Sequence, residues 1–423
     1  MVAGLGSVRR AEDIVGLLDI GTSKTVCVVA AVSRASAAVG ARKPVRVLGV
    51  GVEPSRGLRS GVVVELEEAE QVVRGAVAAA ERAAGVAVDD VVLAVACGRL
   101  KSSTFTANTE IEGRVVRQAD IERLTAAACT YAEREGRTLV HMNSIACRLD
   151  GVAGIADPLG LAGRMLDADM HAVTANEAPL QNLQQVAERA HLTVAGLVPQ
   201  PYASALAATT EDERRLGVAC VDMGAGTTSV AIFAEGQLLC NDVIAFGGNH
   251  VTFDIAHALS VPLSEGERIK KDYGTLARAA SDHHEVVLYT AVGRQAPALS
   301  QTTKGQVREI VRVRMRGLLG HVVDRIERSG VAHYVQCMVL TGGASQQGGL
   351  NEFAADTFGR PVRVARIERS GDMPAQFCSP AFATAMGLVC VAGDLSAGVR
   401  RDRRDHVPAG YLKRMGEWLR DSF

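Results

Sequence analysis

The sequence predicts an α/β protein built from two related lobes, and three observations support this fold class. Apolar segments with strand character alternate with helix-forming segments along most of the chain. An apolar strand, an Asp, a Gly-containing turn and a second apolar strand occur together twice, from Val15 and again from Leu216. The 423 residues are also more than one hydrophobic core usually holds. A hairpin that occurs twice favours duplicated lobes that face each other across a cleft.

The composition is that of an ordinary soluble protein. Hydrophobic residues make up 48%, charged residues 22%, and the net charge is −1, so no nucleic-acid partner is expected. The cysteines form no C-x-x-C pair, which indicates reduced thiols rather than a zinc site. No apolar stretch reaches the ~20 residues of a membrane span, and no signal-peptide pattern is found at the N-terminus.

The first half of the chain shows the alternation of elements clearly. Residues 1–12 are expected to form a flexible tail, and a β-rich segment follows from Val15 to Val52. Residues 65–84 carry strong helix formers at helical spacing, and another helix is predicted from near Asp120. The strand MHAVTA and the helix EAPLQNLQQVAERAH come next.

The two turns of the repeated motif, LDIGTSK and VDMGAGTTS, have the chemistry of a phosphate site. Glycine lets backbone N–H groups approach a triphosphate closely, and the hydroxyl side chains add donors. Asp19 and Asp222 precede the turns and can hold Mg²⁺ through water. Either hairpin alone is more typical of a surface β-turn. The pair together predicts a site that binds phosphates and metal from two sides.

Two further segments extend this hypothesis. An apolar strand runs into Gly342 and Gly343, where a flat base or ribose would lie against backbone. A helix in SEGERIKKDYG places Glu267 and Lys270 three positions apart on one face. Each feature alone is common, in loops or in solvated ion pairs.

In this order the motifs, with a connecting helix QPYASALAA, resemble the actin/Hsp70/sugar-kinase superfamily. That resemblance implies two lobes of five-stranded sheet flanked by helices, with Mg-ATP between them. Within the superfamily the chain resembles the FtsA family of bacterial cell-division proteins over roughly residues 14–392. The matching segments are LDIGTSK, RSGVVVELEEAEQVVRGAVAAAERAAG, DPLGLAGRMLDADMHAVTA, TTEDERRLGVACVDMGAGTTSVAIF, AFGGNHVTFDIAHAL and LTGGAS.

The resemblance implies roles for individual residues. Asp19 and Asp222 would lie near Mg²⁺, Glu267 and Lys270 would contact the ribose or base edge, and Lys24 would reach a phosphate. The other implied nucleotide-binding residues belong to the Gly-rich turns: Gly21, Thr22, Gly224, Ala225, Gly226, Thr227, Thr228, Gly247, Gly248, Gly342, Gly343 and Ala344.

The connecting segment departs from the Hsp70-like pattern. Those relatives begin it with Glu-Pro, and the glutamate helps to position the attacking water, whereas this chain has Gln200 and Pro201. Glutamine orients water through hydrogen bonds but is a poor proton acceptor. Actin also has Gln here, so we expect slow hydrolysis, with nucleotide occupancy setting the conformation or polymer state.

The FtsA-like pattern also implies a division into subdomains. The one called 1C is inserted, and it is expected to contact the next subunit in a filament and later division proteins. The implied ranges are 13–88 and 168–199 for 1A, 89–167 for 1C, 200–248 and 330–393 for 2A, and 249–329 for 2B.

Residues 304–328 are predicted to form a basic helix with an apolar stripe that includes Val307, Val311, Leu318 and Val322. Its arginines either form a solvated cationic face or bind an acidic peptide. In the FtsA family the corresponding lobe binds the acidic C-terminal tail of FtsZ, the tubulin-like ring protein. Arg314 lies near the matching position.

The last residues differ from the rest. Residues 394–410 are polar and basic and are expected to form a linker before a helix at 411–423. One face of that helix is apolar: Tyr411, Leu412, Met415, Trp418, Leu419 and Phe423. We expect it to bind an anionic membrane surface at the septum, on the cytoplasmic side. The alternative is a terminal helix that packs on the body of the protein.

Other members of the superfamily are alternatives. A small-molecule kinase needs a catalytic Asp base, for which we find no motif. A chaperone of the Hsp70 type needs a long C-terminal substrate domain, and only about 30 residues follow the last core segment. A pilus-assembly scaffold shares much of the fold, but no amphipathic tail is expected in one.

Overall fold

The computed structural model describes residues 12–33, 44–133, 136–292, 299–369 and 373–395. The strands are β1 (Glu12–Ile20), β2 (Lys24–Ser33), β3 (Val45–Pro54), β4 (Leu58–Arg59), β5 (Val62–Val63), β6 (Asp90–Val95), β7 (Lys101–Glu110), β8 (Arg137–Leu149), β9 (Val152–Ile155), β10 (Met165–Asn176), β11 (Thr193–Pro199), β12 (Val218–Met223), β13 (Thr228–Ala234), β14 (Gln237–Ile244), β15 (Val286–Thr290), β16 (Leu299–Thr303), β17 (Cys337–Thr341) and β18 (Val362–Val364). The helices are α1 (Leu66–Ala84), α2 (Gln118–Ala132), α3 (Glu177–Arg189), α4 (Gln200–Ala208), α5 (Glu211–Leu216), α6 (Gly248–Leu259), α7 (Leu263–Tyr273), α8 (Lys304–Arg328), α9 (Leu350–Phe358) and α10 (Ala383–Leu395).

Two five-stranded sheets share one topology, which confirms the predicted duplicated lobes. The first sheet has the order β11-β6-β1-β2-β3 and the second has the order β14-β13-β12-β17-β18. In each sheet three consecutive strands pair antiparallel, and two later strands join in parallel. The first strand of each meander ends at the Asp-Gly turn. This topology brings both turns to the carboxyl ends of the parallel strands, where ligands of α/β sheets bind.

Helices α4 and α10 pack against each other and against both sheets. One core cluster contains Leu17 and Val28 of the first sheet, Val218 and Phe233 of the second, and Leu388 of α10. Both helices are rich in alanine and other small residues. These small side chains allow the two helices to approach closely, so that one helix pair packs between the two sheets.

Helix α1 covers the other face of the first sheet. Its first turn carries Glu67 and Glu68, which complement the positive end of the helix dipole, and it ends at Gly85 in the left-handed conformation. Ala69, Val73 and Ala76 are buried against the sheet. In the second lobe, α8 buries the predicted stripe, including Val307, Val311, Leu318 and Val322, together with residues that the prediction omitted.

A separate unit is inserted into the first lobe. Strands β7-β10-β8-β9 form an antiparallel sheet that packs on α2 around its own core. The boundaries predicted at residues 89 and 167 misplace two strands. β6 pairs with β1 and β11 in the first sheet, and β10 pairs with β7 and β8 in the inserted one. Both are apolar strands, so their composition does not reveal which sheet they join.

The predicted C-terminal helix and nearly all of the predicted linker lie beyond the last residue that the structure describes, Leu395. α10 runs to Leu395, and the remaining linker and the amphipathic helix at 411–423 lie outside the described residues, as does most of the predicted N-terminal tail. β1 already begins at Glu12. Within the described part of the chain, no helix is long and apolar enough to cross a bilayer.

Buried polar groups join the inserted unit to the second lobe. The backbone N–H of Asn241 donates to Ser102 Oγ at 2.7 Å, and Ser102 Oγ lies 2.9 Å from His171 Nε2. His171 Nδ1 lies 3.1 Å from Asn143 Oδ1. Burial lowers the pKa of His171 from 6.5 to about 3, and burial also lowers the pKa of the nearby His141 to about 3. Both imidazoles are therefore neutral in the folded protein at neutral pH.

We expect acid to destabilise the fold through these histidines. As pH falls below 6.5, these histidines become protonated in the unfolded chain, whereas in the folded chain they stay neutral until the pH is near 3. The contribution of each histidine to the free energy of unfolding is therefore fully retained above pH 6.5 and falls by about 1.4 kcal/mol per pH unit below it. Urea unfolding at pH 7, 6 and 5 measures the slope of the free energy of unfolding against pH. His171→Gln should reduce this slope by the contribution of one histidine. An unchanged slope in that variant would contradict the prediction.

A candidate phosphate and metal site between the lobes

A cleft of about 730 Å³ lies between the lobes and is lined by both Asp-Gly turns. Sixteen of the eighteen predicted binding and catalytic residues of the cleft line it: Asp19, Gly21, Thr22, Lys24, Gln200, Asp222, Gly224, Ala225, Gly226, Thr227, Gly248, Glu267, Lys270, Gly342, Gly343 and Ala344. Two do not. Thr228 is buried at the start of β13, and Gly247 precedes α6 behind the second turn.

The two turns have the same hydrogen bond. Gly21 N–H donates to Lys24 O at 3.1 Å, and Gly224 N–H donates to Thr227 O at 2.9 Å. The turns also meet across the cleft, because a Cβ on Gly226 would lie 2.5 Å from Thr22 Oγ1. The repeated sequence motif therefore folds into two equivalent turns in close contact.

Helix α6 binds the back of the second turn. Gly248 N–H donates to Gly224 O at 2.9 Å, and Asn249 N–H donates to Ala225 O at 2.8 Å. Because these carbonyl oxygens are engaged and Gly224 N–H bonds within the turn, an incoming ligand would meet the N–H groups of the residues that follow Gly224. A run of backbone N–H groups at a turn is a site for anions such as phosphate.

The carboxylates of Asp19 and Asp222 lie in a buried and electrostatically unfavourable place. Desolvation, followed by the charge of Asp222, raises the pKa of Asp19 to about 7, although Lys24 lowers it. Desolvation likewise raises the pKa of Asp222. Burial lowers the pKa of Lys24, whose ammonium lies 3.8 Å from the centre of the Phe382 ring. A divalent cation would relieve the repulsion between the two carboxylates.

The donor set fits Mg²⁺ better than a metal with a full protein cage. Among the described residues, no group of three or more His, Cys, Asp and Glu side chains is arranged to hold a metal. Two carboxylates facing a phosphate site suit Mg²⁺, which keeps several waters and takes few protein ligands.

Glu267 and Lys270 form the predicted pair on α7. Lys270 Nζ lies 2.6 Å from Glu267 Oε2 and 2.9 Å from Thr252 Oγ1, and the Thr252 hydroxyl donates to Glu267 at 2.6 Å. Lys270 Nζ also donates to Gly248 O at 3.3 Å. The pair therefore links α7 to the start of α6 at one end of the cleft.

The sequence interpretation misses two hydroxyl groups at the second carboxylate. Asp222 Oδ2 accepts from Ser204 Oγ at 2.5 Å and from Thr384 Oγ1 at 3.4 Å. Ser204 lies on α4 and Thr384 lies on α10. A single Ser or Thr within each of these alanine-rich helices is the signal that would have found them.

Arg314 is not free in the structure. Its guanidinium binds both carboxylate oxygens of Asp254, with Nη2 at 2.5 Å from Oδ1, and lies over the ring of Phe246. That Arg314 binds an acidic peptide stays a prediction, and in the structure Asp254 is the carboxylate that pairs with it.

Comparison with known proteins decides the family. "Cell division protein FtsA" of Rhizobium meliloti (strain 1021) is 39% identical over 98% of this chain and 96% of its own length. The chain belongs to the FtsA family. The FtsA of Escherichia coli (strain K12) is 30% identical over 97% of this chain and 98% of its own.

Family models match two parts of this FtsA-family chain. The model described as "Cell division protein FtsA" matches residues 219–387. The model "SHS2 domain inserted in FTSA" matches residues 97–174, which is the inserted unit of β7 to β10 and α2.

Solved structures agree with the actin-like fold. A "PilM-PilN type IV pilus biogenesis complex" chain aligns with TM-score 0.60 at 18% identity and covers 89% of this chain and 97% of itself. MreB 5 of Spiroplasma citri, in a crystal structure bound to AMPPNP, aligns with TM-score 0.54 at 14% identity and covers 89% and 95%. The predicted two-lobed actin-like fold with an inserted subdomain is confirmed.

Proposed function

We propose that this FtsA-family protein binds ATP with Mg²⁺ in the cleft between its lobes. The observation that carries the proposal is the pair of equivalent Asp-Gly turns in contact beside two buried carboxylates. The turns would bind the phosphates through N–H groups, Thr22 and Thr227. The nucleotide named in the MreB structure, AMPPNP, supports the ligand class.

Asp19 and Asp222 would hold Mg²⁺ through its water shell, and the metal would neutralise phosphate charge. Lys24 would supply a further positive charge from the first turn. At the other end, Glu267 and Lys270 would contact the ribose or base edge, with Gly342, Gly343 and Ala344 behind the adenosine. Gln200 would orient a water at the phosphate end, which gives at most slow hydrolysis because an amide is a poor base.

We further propose that the protein anchors FtsZ to the inner face of the cytoplasmic membrane at the septum. It would polymerise with its own kind and recruit later divisome proteins. The apolar face and positive charge of residues 411–423 support membrane binding through the tail helix. Its tryptophan, Trp418, is a residue type that favours the membrane interface.

The acidic tail of FtsZ would bind the second lobe near α8. Arg314 would take part only by exchanging Asp254 for a carboxylate of the tail. The subdomain assignment is kept as a proposal with β6 moved to 1A and β10 moved to 1C.

Co-sedimentation with anionic liposomes tests the tether. We expect the full chain to pellet and a chain ending at Pro408 to stay in solution, each with and without Mg-ATP. Trp418→Glu should weaken binding by at least roughly tenfold, because a charge replaces the apolar anchor. Trp418→Phe is the matched control and should still pellet. If the full and truncated chains both stay in solution with ATP bound, the tail packs on the body, and a pilus-type scaffold becomes the better interpretation.

A further inference from the structure

The hydroxyls of Ser204 and Thr384 form one buried network with Gln200 and Asp222. Gln200 Nε2 lies 2.5 Å from Asp222 Oδ2, 3.2 Å from Ser204 Oγ and 3.1 Å from Thr384 Oγ1. The two hydroxyl oxygens lie 2.9 Å apart. Ser204 is 0% exposed and Thr384 is 7% exposed. The groups are therefore shielded from bulk water, and they satisfy one another.

This network distinguishes the two ends of the Gln200 amide. The amide nitrogen can only donate, and in the structure Nε2 is the end that faces Asp222 Oδ2. The hydroxyl oxygens of Ser204 and Thr384 lie within acceptor distance of the same nitrogen. The amide oxygen then points away from the network. Gln200 Oε1 is buried and has no hydrogen-bond partner among the described residues.

We propose that Ser204 and Thr384 are positioning residues that hold the Gln200 amide with its oxygen toward the attacking water of ATP hydrolysis. The inference rests on the proposed nucleotide function of the cleft, which Gln200, Asp222 and Thr384 all line. An acceptor at this place orients a water by taking one of its O–H bonds. The flipped amide would present N–H donors, which would turn the lone pairs of the water away from phosphorus.

The reaction itself balances without a further reagent. A bond forms between the water oxygen and the γ-phosphorus as the bond from that phosphorus to the β,γ-bridging oxygen breaks. The electron pair of the broken bond stays on ADP, and the proton of the water ends on the phosphate product or the solvent. Gln200 takes no proton, so its contribution is orientation alone.

The two hydroxyls come from different helices, which ties the orientation of the amide to the packing of the lobes. Ser204 lies on α4, one turn after Gln200, and Thr384 lies at the start of α10. The same hydroxyl pair therefore reports whether α4 and α10 are packed together. Thr384 contributes to the orientation of Gln200 only when they are.

The test compares Thr384→Val with Thr384→Ser in the full chain. Valine keeps the shape of threonine and removes the hydroxyl, whereas serine keeps the hydroxyl. Single-turnover hydrolysis should fall about five- to tenfold in Thr384→Val, which is the effect of one lost hydrogen bond, and should return to within about twofold in Thr384→Ser. Rates are compared at saturating ATP and Mg²⁺, because Thr384 lines the cleft and bonds to Asp222, so that a change in ATP affinity does not enter the comparison.

A second readout does not need turnover. Retention of ADP with aluminium fluoride, which mimics the transferring phosphoryl group, requires a positioned water and should fall in parallel with the rate. Thr357→Val is the matched control, since its hydroxyl donates to Phe353 O on α9 at 2.8 Å, outside the network.

Three outcomes would overturn the inference while nucleotide binding stands. In the first, Thr384→Val hydrolyses ATP at the parental rate. In the second, Thr384→Ser is as slow as Thr384→Val. In the third, the parental chain binds ATP but neither hydrolyses it nor retains ADP with aluminium fluoride. A parental chain that fails to bind ATP would instead overturn the proposed function, and the inference with it.

Discussion

Replacing Gly342 with alanine is expected to weaken ATP binding by roughly 100-fold, which corresponds to about 2.7 kcal/mol. Gly342 has φ of +85°, a conformation that costs energy for any residue with a Cβ. The added Cβ would overlap Asp222 Oδ1 and would lie 2.5 Å from the carbonyl oxygen of Met223. The strain therefore falls on the carboxylate that we propose for Mg²⁺. Equilibrium dialysis with labelled ATP, at saturating Mg²⁺, measures the loss.

Gly320→Ala is the matched control for this experiment. Gly320 lies on α8 away from the residues that line the cleft, and an added Cβ would meet no atom within 4 Å. Its affinity for ATP should stay within about threefold of the parental value, because the added methyl group disturbs neither the cleft nor the fold. Circular dichroism checks that both variants are folded. Equal affinities in the two variants would contradict the role given to this loop.

Gly387→Ala is expected to destabilise the whole protein by about 3 kcal/mol or more. An added Cβ on α10 would overlap the backbone carbonyl of Ala203 on α4. Backbone atoms in a helix cannot move aside as a flexible side chain can, so the two helices must separate. Because these helices pack against both sheets, the loss reaches both lobes. A lower midpoint of urea unfolding is the expected result.

Gly317→Ala in α8 is the opposite case and serves as the control. An added Cβ there meets no atom within 4 Å. Alanine has the higher helix propensity, so this variant should be more stable by roughly 0.5–1 kcal/mol. If Gly387→Ala unfolds at the parental urea concentration, the close approach of α4 and α10 is not needed for stability.

The sequence predicts the two turns well because their chemistry is local. An Asp at a strand end, a Gly and a hydroxyl residue determine a four-residue turn with few other interactions. Thr228 was predicted wrongly to line the cleft, although it follows the second turn directly. It is the first residue of β13 and is buried, because successive side chains of a strand point to opposite faces of the sheet.

The parts that the sequence misses depend on contacts between distant segments. Ser204 and Thr384 are 180 positions apart, and only the crossing of α4 and α10 brings their hydroxyls together. Arg314 and Asp254 are 60 positions apart, so a basic helix gives no sign that this arginine is already paired. β6 and β10 lie in different sheets, and in each case the neighbouring strands determine the sheet, because the residues of the strand itself do not.

The matching order of strands in the two sheets has a consequence for how a ligand acts on this molecule. Each sheet contributes one turn, so neither half of the chain contains a complete site. A molecule that touches both turns is a non-covalent cross-link between the two lobes, in addition to the core that they share around α4 and α10. Its binding energy adds to the work needed to pull the lobes apart. Resistance to separation, measured by force or by proteolysis at the lobe junction, is then a gauge of occupancy that requires no catalysis.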